Sequence, residues 1–177
     1  MLTYNSFAQS SNIGKIIDSL KQKKISTLIH YYRKCDYPTL GNFNEYLLWS
    51  QNSVTKLITY TSQAYSETKD QYTSKELKDD SIFLYLNKHI DSIKKERILP
   101  FIYVTQVAGT PVYLPMEYTH PCTLHFNITF KEIPIWIVNG IEDFEQTFLG
   151  DDLNLNYKFN SSTHSFQLIK MIQKEIQ

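Results

Sequence analysis

Residues 122–131 constrain the fold more tightly than any other stretch. Cys122, Leu124, Phe126, Ile128 and Phe130 alternate with Thr123, His125, Asn127, Thr129 and Lys131. Successive side chains of an extended chain point to opposite faces, so this period of two specifies a strand with one dry face and one wet face. The stretch sits inside residues 98–138, the densest run of β-branched and aromatic residues in the sequence, and that composition reads as a small sheet. Residues 101–107 and 112–114 read as two further strands with Gly109, Thr110 and Pro111 as the turn. Residues 135–138 are apolar on both parities, which predicts burial on both faces. Pro134 restricts that strand to an edge or to a first-residue position.

The flanks read mainly as helix. Ile13, Ile16, Ile17 and Leu20 fall at helical spacing, the phase slips near Lys23 and Lys24, and Ile25, Leu28, Ile29 and Tyr32 resume it. The second piece reads as helix, with a strand as the alternative because it is rich in β-branched and aromatic residues. Asn42 and Glu45 have capping-box spacing. Phe43, Tyr46, Leu47, Ser50, Val54, Leu57, Ile58, Thr61, Ala64 and Tyr65 then step by three and four, predicting a long amphipathic helix over about 43–66. Ile82, Phe83, Leu86, Ile90 and Ile93 predict another, ending near Arg97. Beyond the sheet, 141–149 reads as a short helix and 153–159 as a strand. The last helix is capped by Ser162 or Thr163 and carries Phe166, Ile169, Ile172 and Ile176. The expected fold is therefore one α+β domain over residues 1–177. Its N-terminal helical half, about 12–97, packs on a small, mostly antiparallel sheet in 98–177, with a C-terminal helix.

Composition narrows the function classes. A chain of 177 residues buries about 70% of its unfolded surface and needs neither disulfide nor metal to fold. The formal net charge is zero, which argues against a protein built to grip nucleic acid. Two cysteines, Cys35 and Cys122, make no disulfide framework and lead us to expect a reducing, cytoplasmic setting. The first residues carry no basic and apolar leader pattern, and no apolar run reaches the ~20 residues that span a bilayer. With 13 Tyr and 10 Phe the chain is rich in rings that serve sheets and protein interfaces alike.

No P-loop, G-x-G-x-x-G, G-x-S-x-G or H-E-x-x-H pattern is present, and five glycines leave little for a phosphate-cradling loop. His120, Cys122 and His125, with Glu117 nearby, contain metal-ligand and nucleophile types. Yet 122 and 125 differ in parity on a strand, and Cys122 continues the apolar face, so a core thiol beside surface histidines accounts for them. We expect no catalytic residue, metal or cofactor here, with a small enzyme using His120 or Cys122 as the alternative. Lys15, Lys21, Lys23, Lys24, Arg33 and Lys34 with Tyr31 and Tyr32 resemble a nucleic-acid contact but equally a solvated face. From Glu132 to Asp152 the chain has acids and no Lys or Arg. Glu142, Asp143, Glu145, Asp151 and Asp152, with Trp49 and Tyr157 as aromatic anchors, are the expected docking residues for a protein partner with a basic surface. The functional expectation is a protein-binding module, in one form an immunity- or antitoxin-like inhibitor. The sequence fixes no oligomeric state.

Overall fold

A computed structural model describes residues 12–35, 42–63, 71–116, 122–148 and 152–176. Helix and strand are mixed, the main sheet is antiparallel and the chain ends in a helix, as expected. The N-terminal half is where sequence and structure part. Between helix α1 (Asn12–Gln22) and helix α2 (Ser81–Ile93) the described chain is strand: β1 (Thr27–Cys35), β2 (Asn42–Gln51), β3 (Val54–Gln63) and β4 (Gln71–Glu76). The long helix expected over 43–66 is the β2–β3 hairpin, and the helix expected from Ile25 onward is β1. The physical reason is burial on two sides. Tyr46, Leu47, Leu48 and Trp49 form an unbroken apolar run because alternate residues meet different helices, so the alternation that marks a strand disappears.

Strands β1 to β4 join β7 (Cys122–Phe130) and β8 (Ile133–Gly140) in one six-stranded sheet of order β4-β3-β2-β1-β7-β8. Every pairing in it is antiparallel. The β2–β3 and β7–β8 links are two-residue turns with positive φ at both positions: Asn52 (55°) and Ser53 (60°), Lys131 (48°) and Glu132 (71°). That left-handed pair is the turn whose twist matches a hairpin. A separate hairpin of β5 (Ile102–Val107) and β6 (Thr110–Pro115) turns the same way at Ala108 and Gly109.

The sheet is covered on both faces. On one, Leu28 and Leu47 pack with Leu20 of α1, and Ile16, Ile17, Ile25, Trp49 and Ile58 close the cluster. On the other, Ile29, Leu48, Leu57, Phe126 and Ile128 meet Phe83, Leu86 and Ile90 of α2 and Phe166, Ile169 and Ile172 of α4 (His164–Ile176). Burying each such side chain contributes roughly 1.5–3 kcal/mol, so this second cluster dominates stability. Thr163 caps α4 as expected, its Oγ1 accepting the Phe166 N–H at 3.2 Å.

The link from β8 to α4 also differs from expectation. The helix read over 141–149 is one 3-10 turn, Glu142–Phe144, followed by the short strand β9 (Thr147–Phe148). The strand read over 153–159 divides into β10 (Asp152–Leu153) and helix α3 (Tyr157–Ser162). Asn160, fully buried, explains the break: its Oδ1 accepts the Leu99 N–H (2.8 Å), while its Nδ2 donates to the carbonyls of Leu99 (2.9 Å) and Asp143 (3.0 Å). Three hydrogen bonds to distant backbone outweigh a local alternation in which every second residue, Asn154, Asn156 and Lys158, is a poor strand former.

Cys35 and Cys122 face one another across β1 and β7 and are joined as a disulfide. This corrects the reading of Cys122 as a core thiol and removes it as a nucleophile in this state.

Candidate functional site

The expected docking residues do not form one surface. Asp143 is buried. Its Oδ1 accepts the N–H of Phe101 (2.8 Å) and its Oδ2 that of Gly140 (2.9 Å). Burial pushes its carboxyl above the ordinary carboxylate range, against the pull of those donors. Glu142 is half-buried, and its Oε2 accepts no hydrogen bond among the described residues. Glu145 faces solvent, 3.8 Å from Lys170 Nζ. Asp151 lies outside the described residues, as does the side chain of Asp152. Trp49 packs beneath α1, on the opposite face of the sheet from Tyr157, which sets its ring edge-on to Phe166 at 5.8 Å. His120 and Glu117 also lie outside the described residues, and His125 stacks on Tyr32 with ring centres 4.7 Å apart.

A different feature stands out: among the described residues β8 is an edge strand of the sheet. The expectation that residues 135–138 are buried on both faces is wrong: Ile135 is buried, but Trp136 and Val138 are 67% and 48% exposed, as is Ile133 beside them at 52%. The turn geometry shows which of its backbone groups point outward. In a two-residue hairpin the flanking pair, Phe130 and Ile133, exchanges hydrogen bonds. Residues 133, 135, 137 and 139 therefore bond inward to β7, and 134, 136, 138 and 140 face out. Two details agree with this parity. Pro134, which has no N–H, occupies an outward position. The outward N–H of Gly140 is the one Asp143 takes. Among the described residues, the N–H and C=O of Trp136 and Val138 have no partner.

The surroundings of β8 are basic. Lys94 and Lys131 lie over the Phe130 ring at 5.8 and 5.4 Å. Arg97 lines a cleft of about 260 Å3 along β8, whose acid, Glu96, already accepts from the N–H and hydroxyl of Ser165. Lys21 and Lys24 border the other side, with Glu132 as the acid among them. The segment after α2 that carries Arg97 is held against the strand by Asn139 Nδ2, which donates to Ile98 O at 3.2 Å.

Next to β8 on the α1 face the sheet is lined with aromatic and polar groups. His30 Nε2 pairs with Glu45 Oε2 at 2.7 Å, and Thr123 Oγ1 contacts His125 Nε2 at 2.9 Å. Burial, then the Lys34 and His30 charges, hold His125 below the ordinary histidine value. Among the described residues no three His, Cys, Asp or Glu gather as a metal site, and no helix is long and apolar enough to cross a membrane. Pro134 was the one sequence signal for the edge. The alternation of outward groups became readable only once Lys131 and Glu132 were known to be the turn. Comparison with family models, with curated proteins and with solved structures finds no match to this chain.

Proposed function

We propose that this protein is a binding module that takes an extended, acid-flanked segment of a protein partner as a further strand against β8. The observation that carries the reading is the row of unpaired, outward-facing backbone groups at Trp136 and Val138, on a strand whose apolar side chains are exposed. Such an edge is a template for strand addition, in which main-chain hydrogen bonds supply affinity and alternate side chains supply specificity. Lys94, Arg97 and Lys131 complement acidic flanks, so the encounter is faster at low salt. A contact this small, under about 1,200 Å2, fits a transient, micromolar complex.

The acidic-segment reading drawn from the sequence, with a basic partner and an inhibitor-like role, rests on Glu145 and the half-buried Glu142 among the described carboxylates. Asp143 adds nothing to it, because backbone amides hold both its oxygens. The Cys35–Cys122 disulfide favours a setting in which thiols oxidise over the cytoplasmic one expected from composition.

The test uses a ten-residue synthetic peptide with Val and Thr alternating at its centre and Asp and Glu at both ends. Trp136 fluorescence should change saturably on titration. A Val138→Pro variant removes one outward N–H without breaking a ladder bond and should weaken binding at least about tenfold, with thermal stability little changed. A peptide with lysine flanks should bind more weakly. Equal binding by wild type and Val138→Pro, or preference for the lysine-flanked peptide, overturns the reading. So does a stable dimer of the chain alone that buries Trp136.

A further inference from the structure

A second site lies on the α1 face, beneath the helix. A cavity of about 220 Å3 runs between α1 and the β7–β8 hairpin, with Ile17, Leu28, Pro134 and Trp136 among its walls. It is smaller than the ~300–1,000 Å3 of pockets for drug-sized ligands, so it suits a single aromatic group, monocyclic or fused bicyclic, or a short hydrocarbon chain. Asn127 lines it, and Asn127 Oδ1 is buried without a hydrogen-bond partner among the described residues. An unpaired buried amide oxygen costs about 1–3 kcal/mol, which a donor on a ligand would recover. Of the other polar side chains in its walls, Lys21, His30 and Thr129, the His30 Nε2 is already paired with Glu45.

The cavity meets a wider trough of about 600 Å3, and Lys21, Thr129 and Pro134 line both. The trough carries Lys21 and Lys24 against one acid, Glu132. These lysines are not needed to close the end of α1. The carbonyls of Ser19, Leu20 and Lys21 accept the N–H groups of Lys23, Ile25 and Lys24.

We infer that this cavity and its mouth bind a small amphipathic carboxylate. Its apolar body lies against Leu28, Ile17 and Trp136, an N–H or O–H on that body donates to Asn127 Oδ1, and its carboxylate meets Lys21 and Lys24. The site shares the side chains of Pro134 and Trp136 with β8 but uses none of its outward backbone groups, and its test needs no peptide.

The test titrates the full chain, observed by 15N-resolved NMR, with three probes of similar size. Indole-3-propionate has the ring, the donor and the carboxylate. 3-Phenylpropionate lacks the donor, and tryptamine replaces the carboxylate with a cation. Indole-3-propionate should bind saturably, shifting the amides of Asn127 and Lys21. 3-Phenylpropionate should bind about tenfold more weakly for loss of one hydrogen bond, and tryptamine should not bind. Lys21→Glu, on an exposed helical position, should weaken indole-3-propionate about tenfold with the remaining amide spectrum unchanged. Equal affinities for all three probes, no saturation at low-millimolar concentration, or an unchanged affinity in Lys21→Glu would overturn the inference.

Discussion

The two edges of the sheet present the same backbone problem and answer it differently. β4 is polar along its whole length, all six residues exposed. Its Glu76 pairs with Lys56, Lys75 Nζ donates to Glu175 O at the end of α4, and Tyr72 rests on the Tyr60 ring at 5.1 Å. Charges of this kind on an edge discourage further strands. Among the described residues, β8 has Pro134 as a blunting device, and the backbone groups of Trp136 and Val138 have no partner. The difference is why the proposed strand addition is assigned to β8, beside Lys94, Lys131 and Arg97, and not to β4.

Three perturbations sharpen this contrast. The largest concerns the spine between the edges. The Cys35–Cys122 disulfide spans 87 residues of sequence across β1 and β7. Its replacement by alanines should destabilise by about 2–5 kcal/mol, much of it by freeing the unfolded chain. Chemical denaturation measures this. Because the bond joins inner strands, peptide binding at β8 should survive under conditions where the variant stays folded. Loss of binding in that state would mean that β8 is not an independent edge.

The next effect compares the hairpin turns on the two sides. Lys131 and Glu132 hold left-handed φ values without the Asn or Gly that such turns prefer. Lys131→Asn with Glu132→Gly should stabilise by about 1–2 kcal/mol. Ser53→Gly, in the turn on the β4 side, should gain less, about 0.5–1 kcal/mol, since Asn52 already suits its position. If the two gains were equal, the β8 hairpin would not be the more strained one.

The smallest effect is a pH response next to β8. His125, the partner of Val138 across the ladder, titrates below its ordinary value of 6.5 through burial and the Lys34 and His30 charges. A depressed histidine binds its proton more readily in the unfolded chain. Its contribution is therefore present above pH 6.5 and is lost as pH falls through the lowered folded value. The group is half-buried and in contact with solvent, which screens its charge, so it contributes under about 1 kcal/mol. Thermal melting between pH 5 and 7.5 should show a shallow loss on the acid side, flattened in His125→Gln.

What was legible beforehand has a common character. β7 was readable because one of its faces is dry and the other partly wet, so its period of two survives. α2 and α4 were readable because each buries a single stripe, and Thr163 sits where a cap belongs. β2 and β3 were not, because apolar side chains on both faces hide the period and because Asn52 and Ser53 are inconspicuous as a turn. The surroundings of the acidic residues were hidden for a different reason. Asp143 and Glu142 are acidic in sequence whatever their surroundings, and only the arrival of Phe101 and Gly140 beside Asp143 turns its carboxylate inward.

Sequence alone determined the alternating strand, the closing helix and the antiparallel, mixed character of the fold, since each depends on residues within a few positions of one another. Tertiary structure decided which strand would be the open edge, that Cys35 would meet Cys122, and that Asn127 would end in a cavity without a partner. Those outcomes depend on contacts between segments dozens of residues apart, and a local periodicity carries no information about which distant segments come together.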